Sequence, residues 1–167
     1  MRSNKSNGFF MKLQIASEDA DLFDGFGNGS LHLFLTQDPT KCRGVDRPEE
    51  FYLELDFHLS DWQALFIGIL DVPDYDRYVE GDDISELHER NRKKFEQSIP
   101  DYPMLSRLFD MYEDYKFAPN ELPKLREECE RLKLRTTNTE GLKALRKLIF
   151  AADQASQRGF HLMFICD

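Results

Sequence analysis

The sequence predicts an α+β fold, with antiparallel strands at the N-terminus, about five helices packed on one face of the sheet, and a buried C-terminal strand that joins it. Three observations lead to this class. Apolar residues alternate early in the chain, recur at helical spacing in the middle, and form a continuous run at the end. With 167 residues the chain is long enough for one core, so we expect a disordered leader at residues 1–7 and a single domain over residues 8–167.

Three early segments alternate as strands with one buried face do, at residues 9–16, 31–36 and 51–57. The third alternates most regularly, with an apolar residue at every odd position from Phe51 to Phe57. We expect the helices to pack on the sheet face that carries the leucines of the second and third strands, namely Leu31, Leu33, Leu53 and Leu55.

Five segments carry apolar residues at the spacing of an amphipathic helix. The first begins after Ser60 and ends before Pro73, and the second runs from Asp83 toward Ile99. The other three are marked by Met104, Leu108, Met111 and Tyr115, then by Leu122, Leu125, Cys129 and Leu132, then by Leu142, Leu145, Ile149 and Ala152.

Residue types at the ends of the last two helices support this assignment. Asn120 is suited to cap the fourth helix, and Asn138 or Thr139 to begin the fifth. Gly159 is suited to end the fifth helix. Residues 160–166 are apolar at nearly every position, which is typical of a strand buried on both faces.

The charge balance is acidic, with 31 Asp and Glu against 22 Lys and Arg, a net charge of -9. A negative field repels the phosphates of nucleic acids, so we expect no nucleic-acid partner. The same field favours encounter with a basic protein, although an acidic balance also serves solubility alone. Both interpretations stay open.

The cysteine pattern predicts a reducing compartment. Cys42, Cys129 and Cys166 are odd in number and widely spaced, unlike a secreted disulfide framework. The N-terminus has no signal-peptide pattern and no apolar run reaches about 18 residues, so we expect a cytoplasmic location and no membrane span. Cys42 lies between Lys41 and Arg43, which favour its thiolate; a reactive thiol and an incidental surface cysteine are both left open.

The sequence contains no recognisable motif for a metal, a cofactor or a catalytic nucleophile. Its four histidines lack the spacing and the neighbouring cysteines of a zinc site. The glycine-rich residues 25–29 have no following lysine and precede a strand, which indicates a hairpin loop rather than a phosphate-binding loop. We therefore expect neither a metal nor a cofactor, with cation binding by the acidic loops left open.

If the strands face as predicted, several polar residues share the sheet face opposite the leucines: His32, Tyr52, Glu54, Asp56 and His161. A carboxylate can orient and charge a histidine, so such a group supports proton transfer. Polar residues are also ordinary on a solvent-facing sheet surface. A small enzyme with a His/carboxylate site on this open sheet face is therefore an alternative function.

Acids and tyrosines occur together in two segments. Tyrosine supplies a large contact area at a small entropic cost, and flanking acids favour a basic partner. By helical phase, some of these tyrosines belong equally well to the core. The residues expected to bind a partner are Asp74, Tyr75, Asp76, Tyr78, Glu80, Asp82, Tyr112 and Asp114.

Residues 112–122, with the sequence YEDYKFAPNEL, are followed by Leu125, Glu128, a final helix and an apolar strand before Asp167. In these features the chain resembles small uncharacterised bacterial proteins, some of them similar to toxin-neutralising immunity proteins. The resemblance implies an immunity-like or inhibitor-like role, and it carries over no functional residue.

Net charge and the lack of a catalytic motif together favour a non-enzymatic protein-binding module that recognises a basic protein surface. One alternative is the small enzyme described above. The other is a homo-oligomeric structural protein assembled through the sheet face or the third helix.

Overall fold

The computed structural model describes residues 30–39, 53–58, 61, 64–65, 81, 83–98, 100–108 and 114–166. In chain order the elements are β1 (Ser30–Thr36), β2 (Leu53–His58), α1 (Ile84–Ser98), a 3-10 helix (Leu105–Leu108), β3 (Tyr115–Phe117), α2 (Leu122–Lys133), α3 (Thr139–Arg158) and β4 (His161–Cys166). This content confirms the α+β class.

The four described strands form one antiparallel sheet in the order β2-β1-β4-β3. Leu35 of β1 lies opposite Leu53 of β2 on one side and opposite Leu162 of β4 on the other. β4 also pairs with β3, where Phe117 lies opposite Leu162. The last strand along the chain therefore lies inside the described sheet, between β1 and β3.

β4 is buried on both of its faces. Leu162 and Phe164 are fully buried and belong to the core beneath the helices. Met163 and Ile165, which alternate with them, are only 6% and 2% exposed on the other face. Burial of both faces explains the continuous apolar run of this segment, since neither face needs polar residues for contact with water. The predicted buried C-terminal strand is confirmed.

The core lies between the sheet and the helices α2 and α3. The ring of Phe164 meets those of Phe57 and Phe117 edge to face, with centroids 6.2 and 5.9 Å apart. α3 packs on β1, β2 and β4, and α2 packs on α3. Leu35 and Phe57 share the sheet face of the predicted leucine set, and both belong to this core. The helices thus pack on the predicted face.

α2 buries the predicted stripe, because Leu122, Leu125, Cys129 and Leu132 are all fully buried. Its first residues differ from expectation, since the N-cap position is Glu121 rather than Asn120. A proline in the first turn has no N–H to satisfy, which reduces the need for a side-chain cap. Glu121 instead uses Oε2 to accept the N–H of Ala118 at 2.7 Å.

Both predicted ends of α3 are confirmed. Asn138 Oδ1 accepts the N–H groups of Glu140 and Gly141 at 2.8 and 3.1 Å, and Gly159 ends the helix at a φ of 66°. The buried face is wider than the predicted stripe, because α3 contacts both α2 and the sheet. Leu142 and Ile149 are half-buried, and the inner face is lined mainly by small residues: Gly141, Ala144, Ala151, Ala152 and Ala155.

The prediction of a third helix is wrong. Leu105–Leu108 is a single 3-10 turn, and Tyr115, predicted on its stripe, lies in β3. Tertiary contacts override the helical spacing, since Glu128 binds the amides that begin the turn and β4 pairs with residues 115–117. Instead of about five helices, the described ranges hold three α-helices with complete bounds, together with helical residues at 61 and 64–65.

The second predicted helix is confirmed as α1. Asp83 Oδ1 accepts the N–H groups of Ser85 and Glu86 at 2.8 and 3.4 Å, and Leu87 is buried. The predicted leader, the strand at residues 9–16, the loop at residues 25–29 and Cys42 lie outside the described residues.

Candidate functional site

The two segments in which acids and tyrosines occur together are residues 71–83 and 109–114. Each is followed by an element that the structure describes. Asp114 is exposed immediately before β3, and residues 71–83 lead into α1 through Gly81, which is exposed with a φ of 108°. Asp83, the last acid of that segment, caps α1. The other seven predicted partner-binding residues lie outside the described residues: Asp74, Tyr75, Asp76, Tyr78, Glu80, Asp82 and Tyr112.

The strand register places two members of the predicted His/carboxylate group opposite each other. His32 of β1 faces Asp56 of β2, and Glu54 lies two residues further along β2, opposite Phe34. Directly opposed residues have Cβ atoms about 4.5–5.5 Å apart. Tyr52 lies outside the described residues. The backbone therefore pairs the position of His32 with that of Asp56.

His161, the second histidine of the group, lies apart from this pair. It is opposite Thr36, four residues along β1 from His32, which corresponds to about 13 Å at the rise of a strand. Its Nδ1 is buried and has no hydrogen-bond partner among the described residues. Because Met163 and Ile165 on the same face of β4 are buried, this face is covered along β4, contrary to the expected open surface.

A buried carboxylate that the sequence analysis did not single out lies on α2. Glu128 is 1% exposed, and its Oε2 accepts the N–H groups of Met104 and Leu105 at 2.8 and 2.9 Å. Its Oε1 is buried without a partner in the described part of the chain. Burial raises the pKa of this carboxyl above its usual 4.5, although the two amides and the cations Arg131 and Lys124 lower it.

Arg107 covers the outer edge of β3. Its guanidinium carbon lies 4.4 Å from the centroid of the Phe117 ring, and Nη1 lies 3.0 Å from Glu121 Oε1. Nη2 donates to the backbone oxygen of Lys116. β3 is at the edge of the described sheet, where a carbonyl engaged in this way is closed to an added strand. We interpret this cluster as structural.

A second buried charge joins α3 to the helical residues that follow β2. Lys147 Nζ lies 2.5 Å from Asp61 Oδ2, and both side chains are 3% exposed. Nearby, a Cβ added to Gly141 would lie 3.1 Å from the backbone oxygen of Ala64 and 3.0 Å from Thr136 Cγ2. The missing side chain of Gly141 therefore permits the close approach of these helical residues to α3.

Both buried charges leave a trace in the sequence. Glu128 lies three residues after Leu125 and four before Leu132, on the apolar stripe of α2. Lys147 likewise lies three residues after Ala144 and four before Ala151. A charged residue at an apolar position of a helix indicates a buried group that needs a partner.

The remaining described groups offer little chemistry. Burial raises the pKa of the Cys129 thiol far above its usual value, which keeps it protonated and unreactive. Across the described ranges, no group of three or more His, Cys, Asp or Glu side chains is placed to hold a metal ion. None of the helices in these ranges combines the length and apolar character needed to cross a membrane.

Comparison with known proteins gives no family model that matches the chain, and neither the curated proteins nor the solved structures include a match.

Proposed function

We propose that the chain is a non-enzymatic protein-binding module that recognises a basic protein surface through two acidic segments, residues 71–83 and 109–114. The observation that carries this proposal is the distribution of charge. Together the segments contain nine Asp and Glu and one Arg, a net charge of -8, against -9 for the whole chain. Both stretches are therefore dense in negative charge for their length.

The helical body after the second segment has the opposite charge balance. Residues 115–166 contain ten Lys and Arg and six Asp and Glu. Some of these cations are paired within the body, as Arg126 is with Asp153 at 2.8 Å and Lys133 with Glu130 at 2.7 Å. The acidic segments therefore supply a dense local negative charge for the long-range attraction of a basic partner, which the helical body does not.

The composition of the segments fits an interface. They include Tyr75, Tyr78 and Tyr112, and tyrosine is enriched among residues that dominate binding energy. Each segment leads directly into an ordered element, α1 or β3. Residues 112–122 resemble small uncharacterised bacterial proteins, some of them similar to immunity proteins, and this resemblance fits the same class, with a basic protein in the bacterial cytoplasm as the partner.

A charge-matched pair of variants tests this function. The first removes four acids of the longer segment: Asp74→Asn, Asp76→Asn, Glu80→Gln and Asp82→Asn. The control removes four exposed acids elsewhere: Glu86→Gln, Glu96→Gln, Glu127→Gln and Glu140→Gln. Affinity capture from the native lysate, at low and at high salt, is followed by identification of the bound proteins.

We expect the wild-type chain and the control to capture the same basic protein in stoichiometric amount at low salt. The four-acid variant loses this protein, and high salt releases it from all chains, because the attraction between exposed charges is screened. Capture of no stoichiometric partner at low salt contradicts the proposal, as does equal loss in the two variants.

A second candidate function is a small enzyme that uses His32 and Asp56 for proton transfer. The register of β1 and β2 favours this candidate because it places these two residues opposite each other. Hydrolysis of p-nitrophenyl acetate and p-nitrophenyl phosphate at neutral pH is a direct probe. This candidate requires turnover that His32→Asn and Asp56→Asn both abolish and that His161→Asn leaves intact. Turnover no faster than in buffer excludes it for these substrates.

A further inference from the structure

Glu128 joins α2 to a segment that lies more than twenty residues earlier in the chain. One oxygen, Oε2, accepts the N–H groups of Met104 and Leu105. These amides begin the 3-10 turn Leu105–Leu108, so the carboxylate acts as a cap supplied from another helix. The position of residues 101–108 on α2 therefore depends on the state of this side chain.

The same carboxyl is poorly suited to hold a charge. It is 1% exposed, and its Oε1 has no partner in the described part of the chain. Leu105 and Cys129, which adjoin it, are fully buried core residues. A buried carboxylate with one unpaired oxygen is costly, whereas the protonated form still offers Oε2 as an acceptor to the two amides.

Charged groups lie on α2 and on the two elements that pack against it. From α2 itself, Arg131 and Lys124 favour the ionised form. In the 101–108 segment, Arg107 is engaged by Glu121, and Asp101 uses its backbone oxygen to bind Arg131. From α3, Asp153 is paired with Arg126. The two amides and the cations Arg131 and Lys124 lower the pKa of Glu128, and burial outweighs them.

We propose that Glu128 is a pH-responsive anchor: its carboxyl holds residues 101–108 against α2, and the hold weakens as the carboxyl becomes ionised. Ionisation leaves both amide contacts in place but adds the cost of a buried charge. Local opening of the segment returns the charge to water and removes that cost. Opening is therefore easier in the ionised form.

The direction of the pH effect follows from linkage. Burial raises the pKa of Glu128 in the closed state above its usual 4.5, so the closed state binds the proton more tightly than the open state. The contribution of the carboxyl to closure is complete below the usual pKa and is lost as pH rises through the raised pKa. One linked proton limits the change to about tenfold per pH unit.

Amide hydrogen exchange of Met104 and Leu105, corrected for the intrinsic effect of pH, tests the anchor. In the wild-type chain, protection of these amides should fall as pH rises from about 4 toward neutrality. Glu128→Gln, which keeps an acceptor and cannot ionise, should flatten this dependence. Glu127→Gln, which removes an exposed charge from the neighbouring position, should behave as the wild-type chain does.

Wild-type protection that is constant or rises with pH would overturn the anchor, as would an equal fall in Glu128→Gln. If Glu128→Gln does not fold, the carboxyl carbon of Glu128 is followed by NMR in the wild-type chain. A midpoint above 4.5 supports the proposal, and one at or below 4.5 overturns it.

Discussion

Asp61 and Glu128 are buried to nearly the same degree, at 2% and 1% exposure, yet their negative charges have different partners. Asp61 lies 2.5 Å from the ammonium of Lys147, whereas Glu128 is held by two backbone amides. A buried ion pair loses its compensation when one partner is removed. A carboxyl bound to amides can instead take up a proton and keep its contacts. At equal burial, the Asp61 site is therefore expected to be more sensitive to loss of its partner, and the Glu128 site to a change of pH.

Removal of the cation should have the largest effect. Lys147→Ala is expected to lower the free energy of unfolding by about 3–5 kcal/mol, because it breaks the buried ion pair with Asp61. Urea denaturation measures the loss, and Lys94→Ala, at an exposed position, is the control. The double variant Asp61→Leu with Lys147→Met should recover most of the stability. A loss of less than about 1 kcal/mol in Lys147→Ala would show that the Asp61 site is not especially sensitive to loss of its partner, and the two buried acids would then not differ in this respect.

Glu128→Ala should have the next largest effect. It leaves the N–H groups of Met104 and Leu105 without their acceptor, and each buried donor left unpaired costs about 1–3 kcal/mol. Loss of the buried charge offsets part of this, so a total of about 1–3 kcal/mol is expected in urea denaturation. Glu128→Gln, which retains an oxygen for both amides, should remain within about 1 kcal/mol of wild type. Equal losses in the two variants would show that the charge itself is needed.

Gly141→Ala tests the contact that brings Asp61 close to α3. The added Cβ would meet Ala64 O at 3.1 Å and Thr136 Cγ2 at 3.0 Å, and such overpacking costs about 1–3 kcal/mol. The better helix propensity of alanine returns about 1 kcal/mol, so we expect a net loss of about 0–2 kcal/mol in thermal or urea denaturation. Ser156→Ala, on the exposed side of α3, should be neutral or slightly stabilising. A stabilised Gly141→Ala would mean that this packing is loose.

Asn138→Ala should have the smallest effect of the four substitutions. Asn138 Oδ1, like Glu128 Oε2, accepts two backbone amides, but it is uncharged and exposed. We expect a loss of about 1 kcal/mol by urea denaturation, independent of pH between 4 and 7. Thr137→Ala is the neighbouring control. A pH-dependent loss in Asn138→Ala would indicate that the dependence at Glu128 does not come from its own proton.

Elements set by local pattern were predictable, and those set by distant partners were not. α2 and α3 follow from apolar spacing, and Asn138 and Gly159 end α3 as expected because capping depends on nearby backbone. The segment from Met104 to Tyr115 has the same spacing, but its described residues, 104–108 and 114–115, form no α-helix. Its first amides bind Glu128 on another element, and its last residue pairs with β4.

The candidate sites divide in the same way. The concentration of acids in residues 71–83 and 109–114 is visible in the sequence, because charge depends on composition alone. The alternation of β1 and β2 placed His32 and Asp56 on one face. The strand register then decided which residues of that face are neighbours. It pairs His32 with Asp56 and places His161 opposite Thr36.

Residue types and short-range period were enough to predict the α+β class, the buried last strand, the two C-terminal helices and the acidic charge. Long-range contacts set the strand order, the place of β3 at the edge of the described sheet, and the partners of Asp61 and Glu128. These features join residues far apart in the chain. A local pattern shows that a charged residue lies on an apolar stripe, but the free energy that makes its burial tolerable comes from the groups that folding brings beside it.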